Sequence, residues 1–158
     1  MSEVCLIVDA NIAGVFLAKP SPVVDWLFGE RGNPRLVAAG RLREELAANH
    51  QVRRQLVALD RAGRLRSSDL QKLGQEENRL RADRACTSND PHILALAIVS
   101  GARTLATDDN KLAGDFTNSK IVNRPRGKVY RDPQRHAHLL RHTPESCGVD
   151  NRPKRRRG

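Results

Sequence analysis

The stretch Val4-Cys5-Leu6-Ile7-Val8-Asp9 is an apolar run closed by a carboxylate. A continuous apolar run, lacking the alternation of a half-exposed strand, reads as a strand buried on both faces, and such strands belong to parallel sheets covered by helices. Asp9 then stands at the strand's carboxyl end, the edge at which open parallel sheets receive ligands. An aspartate there, followed by Asn11 in a mostly apolar stretch, has no surface role to explain it. It is the first candidate for chemistry.

Working outward, Ser21-Pro22 reads as an N-cap followed by proline at the first helical position, opening a helix to about residue 29. A strand is predicted over residues 35–39. A helix entered through Gly40 follows over 41–49, with Leu42 and Leu46 on one stripe. Residues 52–62, with Val52, Leu56 and Leu59, predict another helix, and the capping pair Ser68 and Gln71 opens one running to about residue 83. These two look like a basic hairpin carrying Arg53, Arg54, Arg61, Arg64 and Arg66. Asp90-Pro91-His92-Ile93-Leu94-Ala95-Leu96-Ala97-Ile98-Val99-Ser100-Gly101 begins with a cap, ends at a glycine and is apolar nearly all round, as a buried helix is. Thr104 to Thr107 returns as a strand, Asp108-Asp109 opens a further helix, and residues 121–123 predict a final strand before a Pro-Arg-Gly turn and a short helix over 133–141. Strand and helix alternate throughout, which predicts a doubly wound α/β sheet.

The 158 residues, 39% hydrophobic, suffice for one compact domain over residues 1–141, with a basic tail over 142–158 that is expected to be disordered. Aromatics make up only 3%, so the core must be aliphatic, and the composition argues against base stacking as the main mode of binding single strands. Five of the ten net positive charges come from Arg152, Lys154, Arg155, Arg156 and Arg157. The body is therefore basic without its tail, which favours a polyanionic partner but equally fits a well-solvated surface. Cys5, Cys86 and Cys147 are an odd number at wide spacings, suggesting no disulfide framework and no zinc cluster. His136, His138, His142 and Cys147 fall in a polar, proline-containing segment and read as exposed chain rather than a metal site. With only five apolar residues between Glu3 and Asp9, no leader or membrane span is expected at the N-terminus, and the location predicted is cytoplasmic. The tail would add non-specific affinity for a polyanionic partner or, in a eukaryote, serve instead as a nuclear address.

Three acids fall where strands end or helices begin: Asp9, Asp90 and Asp109. A fourth, Glu45 or its neighbour Glu44, lies in the helix after the second strand. Carboxylates gathered at one sheet edge repel each other unless a cation neutralises them, and oxygen-only ligands favour Mg²⁺ or Mn²⁺. Each acid also has a structural reading: Asp90 and Asp109 as N-caps, Glu45 as a solvated helix residue. Asn11 and Thr107 read equally well as turn residues or as partners that orient the acids.

These segments resemble the PIN-domain nucleases. The resemblance rests on Val8-Asp9-Ala10-Asn11, on Leu42-Arg43-Glu44-Glu45-Leu46, on Asp90 to Ala97, and on Ser100 to Asp109 with its Thr107-Asp108-Asp109 ending. It covers residues 4 to about 123. It implies a three-layer α/β/α fold with a central, mostly parallel sheet and a metal-dependent endoribonuclease acting on single-stranded RNA. Asp9, Asp90 and Asp109 would hold one or two Mg²⁺ or Mn²⁺ ions, with Glu45 completing the site. Asn11, Thr107 and Asp108 would support these ligands, Glu45 is preferred to Glu44 because it directly precedes an apolar residue, and Asp108 takes the motif's variable place. RNA would be bound by Arg53, Arg54, Arg61, Arg64, Arg126 and Lys128. Small stand-alone members are often toxins of toxin–antitoxin pairs, so a protein inhibitor and a homodimer are further partners the resemblance implies. The competing readings are a structure-specific DNA nuclease and a non-catalytic nucleic-acid-binding module on the same fold.

Overall fold

The computed structural model describes residues 4–29 and 33–141, which form strands β1 (Val4–Val8), β2 (Pro34–Val37), β3 (Leu65–Arg66), β4 (Thr104–Ala106) and β5 (Lys128–Tyr130). Between and after them lie helices α1 (Ala10–Phe16), α2 (Pro22–Leu27), α3 (Gly40–Ala47), α4 (His50–Arg61), α5 (Leu70–Arg81), α6 (Pro91–Ser100), α7 (Asn110–Phe116) and α8 (Ala137–Arg141). The tail over 142–158, and with it any role for its arginines, lies outside the described residues.

All five strands are parallel, in the order β3-β2-β1-β4-β5. The chain moves one way from β1 to β3 and the other way from β4 to β5. Right-handed crossovers then put the early helices on one face and the later ones on the other, giving a three-layer α/β/α fold. The helix contacts agree: α1, α3 and α4 pack together, while α5 packs on α6. The core is aliphatic, with Leu6, Ile7, Val8, Leu36, Val37, Leu105 and Ala106 of the central strands buried under Leu42, Leu46, Leu56, Ile93 and Leu94. Helix α6 is buried nearly all round, as its composition requires, and ends at Gly101 with φ of +86°, a conformation that only glycine adopts without strain.

Several expectations are corrected. Residues 121–123 form no strand: Ile121 and Val122 are buried, but the segment turns, held by the Arg103 guanidinium, which donates to the carbonyls of Asn123, Ala97 and Ala102. The fifth strand is instead Lys128–Tyr130. The helix directly after Asp9 and the two-residue β3 are additional elements. The basic hairpin does not form, because β3 joins the sheet beside β2 between the two helices and α5 turns to α6. The cap of α5 is Asp69 rather than Ser68, and β2 lies one residue earlier and ends two earlier than predicted. Cys5 is buried, as its apolar run implied, but it is disulfide-bonded, while Cys86 is free. None of the described helices is long and apolar enough to cross a membrane.

Candidate active site

The strand order reverses between β1 and β4, so the crevice of the sheet opens where these two strands end. The ladder runs one rung past the strands, with the Asp9 N–H donating to the Ala106 carbonyl at 2.9 Å. This sets Asp9 and Thr107 side by side, 3% and 1% exposed. The Thr107 hydroxyl donates to Asp9 Oδ2 at 2.8 Å and accepts the Asp109 N–H at 3.1 Å, so one threonine ties two of the candidate acids together. Asp9 Oδ1 accepts the Asn11 N–H at 3.3 Å. Asn11 thus contributes its main chain, while the residue itself is exposed.

Asp90 separates the capping reading from a functional one. Asp9, Ser21, Asn49, Asp69 and Asp109 all stand at helix N-caps, and each accepts a backbone N–H from the first turn. Asp90 stands at the N-cap of α6 with its carboxylate making no such bond. Its backbone, at φ −121° and ψ 50°, is outside the extended conformation that aims a capping side chain at the helix. The position predicts an N-cap; the side chain does not serve as one. Burial pushes its carboxyl above the usual carboxylate value, Asp9, Asp109 and Glu45 add to that, and His92 opposes it. The four predicted acids therefore share one electrostatic neighbourhood.

Glu45, rather than Glu44, faces this neighbourhood. Glu44 is exposed, whereas Glu45 is half-buried, its Oε1 accepting from His92 Nε2 at 2.9 Å and its Oε2 facing Arg41 Nε at 3.3 Å. His92, 6% exposed, holds Glu45 across 47 positions of sequence. Asp109 Oδ1 accepts the Lys111 and Leu112 N–H groups, so it caps α7 with one oxygen while lying beside Asp90. Asp108 is exposed. As the side chains stand, no group of three His, Cys, Asp or Glu among the described residues encloses a cation. Several of the acids' oxygens are engaged instead by Thr107, His92, Arg41 and the α7 N-terminus.

Of the predicted RNA-binding cations, Arg61, Arg64, Arg126 and Lys128 lie away from this edge. Lys128 pairs with Thr104 at the amino end of the sheet, Arg126 precedes it, and Arg61 and Arg64 lie at the amino end of β3. Arg64 also donates to the Leu27 carbonyl, and Arg53 contacts His50 within its own helix. The cations at the acidic edge are others. Arg41 contacts Glu45, and Arg131, just past β5, donates to the Thr107 carbonyl and to Asn110 Oδ1, both at 3.0 Å. Arg131 follows directly on a strand, so placing that strand at 128–130 in the sequence would have pointed to it.

A second buried aspartate fixes the loop leading to Asp90. Asp115 on α7, 2% exposed, accepts the Thr87 and Ser88 N–H groups, the Thr87 hydroxyl and the Cys86 thiol. Burial acts to raise its pKa, but these bonds outweigh it and hold the carboxyl below its ordinary value. Ser88 Oγ in turn accepts the Asp90 N–H at 3.3 Å. Comparison with protein-family models, with curated proteins and with solved structures finds no match for this chain.

Proposed function

We propose that the chain is a metal-dependent phosphodiesterase of the PIN-domain kind, an endoribonuclease acting on single-stranded RNA. The observation that carries this reading is Asp90: a helix-capping position whose carboxylate does not cap and instead stands half-buried among Asp9, Asp109 and Glu45, its pKa raised. A fold bears such repulsion at a cost, and a bound cation is the physical device that relieves it. The donors are carboxylate oxygens, which fits Mg²⁺ or Mn²⁺. Asp9, Asp90 and Asp109 would hold the ion, with a modest shift of the side chains toward it. Such an ion lowers the pKa of bound water and neutralises charge on a phosphate under attack.

The chain's own residues supply the rest. Thr107 fixes the rotamer of Asp9, and His92 with Arg41 fixes Glu45, in reach to orient a water. Arg131 is a cation at the same edge for a phosphate oxygen. RNA as the substrate rests on the resemblance and on the basic body, and so does the toxin-like role with its protein inhibitor.

A second reading, a nucleic-acid-binding module without catalysis, is favoured by the engagement of both Glu45 oxygens and by the absence of a three-ligand group among the described residues. Cleavage of labelled single-stranded RNA and DNA with Mg²⁺, Mn²⁺ or EDTA separates the two. Metal-dependent cutting of RNA, lost in Asp9→Asn and Asp90→Asn, is the expected result. Binding of RNA that is unchanged by EDTA, with no cutting in any metal, selects the binding module instead.

A further inference from the structure

Beside the acidic edge lies an open cleft of about 440 Å³ lined by Arg41, Arg81, Ser88 and Asn89 over Leu80 and Pro91. It adjoins the acids through three links: Arg41 contacts Glu45, Ser88 accepts the Asp90 N–H, and Pro91 follows Asp90 in the chain. We propose that this cleft is a subsite for one nucleotide of the strand, next to the phosphodiester at the acids. The proposal rests on the reading of the chain as acting on nucleic acid.

Several features support it. The volume falls in the range of small-ligand sites, roughly 300–1,000 Å³, which suits one nucleotide and not a duplex. Two guanidinium groups match phosphate oxygens in geometry as well as charge. Arg81 comes from the last turn of α5 and Arg41 from the first turn of α3, so the cations converge from separate elements. The wall carrying Ser88 and Asn89 is fixed in advance by the bonds from Cys86, Thr87 and Ser88 to buried Asp115, so little ordering is required on binding. Polar groups on that wall, above an apolar floor, suit a sugar or base. The Cys86 thiol, its pKa pushed up to about 11 by burial and by Asp115, stays neutral and adds no negative charge. These arginines are not the ones the sequence pattern suggested, and one of them, Arg41, contacts Glu45 directly.

The test reads binding rather than cleavage. The ¹⁵N-labelled full chain, in EDTA, is titrated with uridine 3′,5′-bisphosphate, its 2′-deoxy counterpart and inorganic phosphate. Amide shifts are expected at Ser88, Asn89 and their neighbours, with affinity falling at least about tenfold in Arg81→Ala and at least about tenfold for inorganic phosphate. Arg81 pairs with Glu77 on the exposed face of α5, so its removal leaves the fold intact. Asn89→Ala, also exposed, is the second variant and should weaken the nucleotide but not phosphate. Equal binding of the deoxy probe assigns the cleft to either sugar, and loss of it assigns the cleft to ribose; both uphold the subsite. Shifts confined to other residues, wild-type affinity in Arg81→Ala, or an equal response to inorganic phosphate would overturn it. Metal-dependent cutting with no nucleotide in the cleft removes the subsite alone, and a filled cleft without cutting removes the catalytic reading alone.

Discussion

Asp90 and Asp115 are aspartates on opposite sides of one loop, and their surroundings are inverted. Asp115 is ringed by donors from Cys86, Thr87 and Ser88, and its carboxyl lies below its ordinary value. Asp90 faces three other carboxylates, makes no cap bond, and lies above it. A satisfied buried charge is a structural part. One left among its own kind marks a place where the fold gives up stability, and such places are candidates for function.

The sharpest test replaces each in turn. If Asp90 is the metal ligand proposed above, Asp90→Asn should lower RNA cleavage by about 10³-fold, a loss of several kcal/mol, while the melting temperature does not fall. Asp115→Ala should do the reverse in kind, unfolding more easily by about 2–3 kcal/mol because several donors lose their acceptor. If Asp115→Ala melts like wild type, the contrast is broken. Next in size, His92→Gln should cost about 10-fold or more in cleavage through misplacement of Glu45, with its double variant Glu45→Gln adding little further.

Acidity separates the two aspartates at the level of stability. Asp115 has a lowered folded pKa, so its contribution is present above 3.8 and is lost as pH falls through the folded value below that. Asp90 has a raised folded pKa, so its ionised form costs stability above that folded value and the cost disappears as pH falls through it. Acid unfolding below pH 3.8 should therefore be steeper for wild type than for Asp115→Asn. The smallest effect is the gain of Asp90→Asn in EDTA at pH 7, roughly 0.5 kcal/mol for relief of a partly exposed like charge, and Mg²⁺ should erase it. A loss instead of a gain would show that Asp90 is stabilised by a partner.

Much of this was legible in the sequence, and the limits have physical causes. Val4 to Val8 and Pro91 to Ser100 were read correctly because a buried strand and a buried helix each carry apolar residues throughout, with Asp9 and Gly101 as punctuation. Ile121-Val122 misled because a buried turn needs apolar side chains as much as a strand does, and the arginine that holds it, through the Asn123 carbonyl, lies 20 residues before Asn123. Leu65–Arg66 and Lys128–Tyr130 are too short to establish a period. The four acids could be picked out individually. That Asp90 would not cap, and that His92 would reach Glu45, depend on packing between distant segments and leave no local mark.

The bond from Thr107 to Asp9 joins residues 98 apart, and β1 sits between β2 and β4 in the sheet. During synthesis β1 emerges early and can pair with β2 soon after, but its other flank waits for β4. At about 5–20 residues per second that interval is roughly 5–20 s, during which Asp9 has neither Thr107 nor Asp109 beside it. On the ribonuclease reading proposed above, the nascent chain would lack its assembled site until β4 has emerged, and the message being translated would be spared until then.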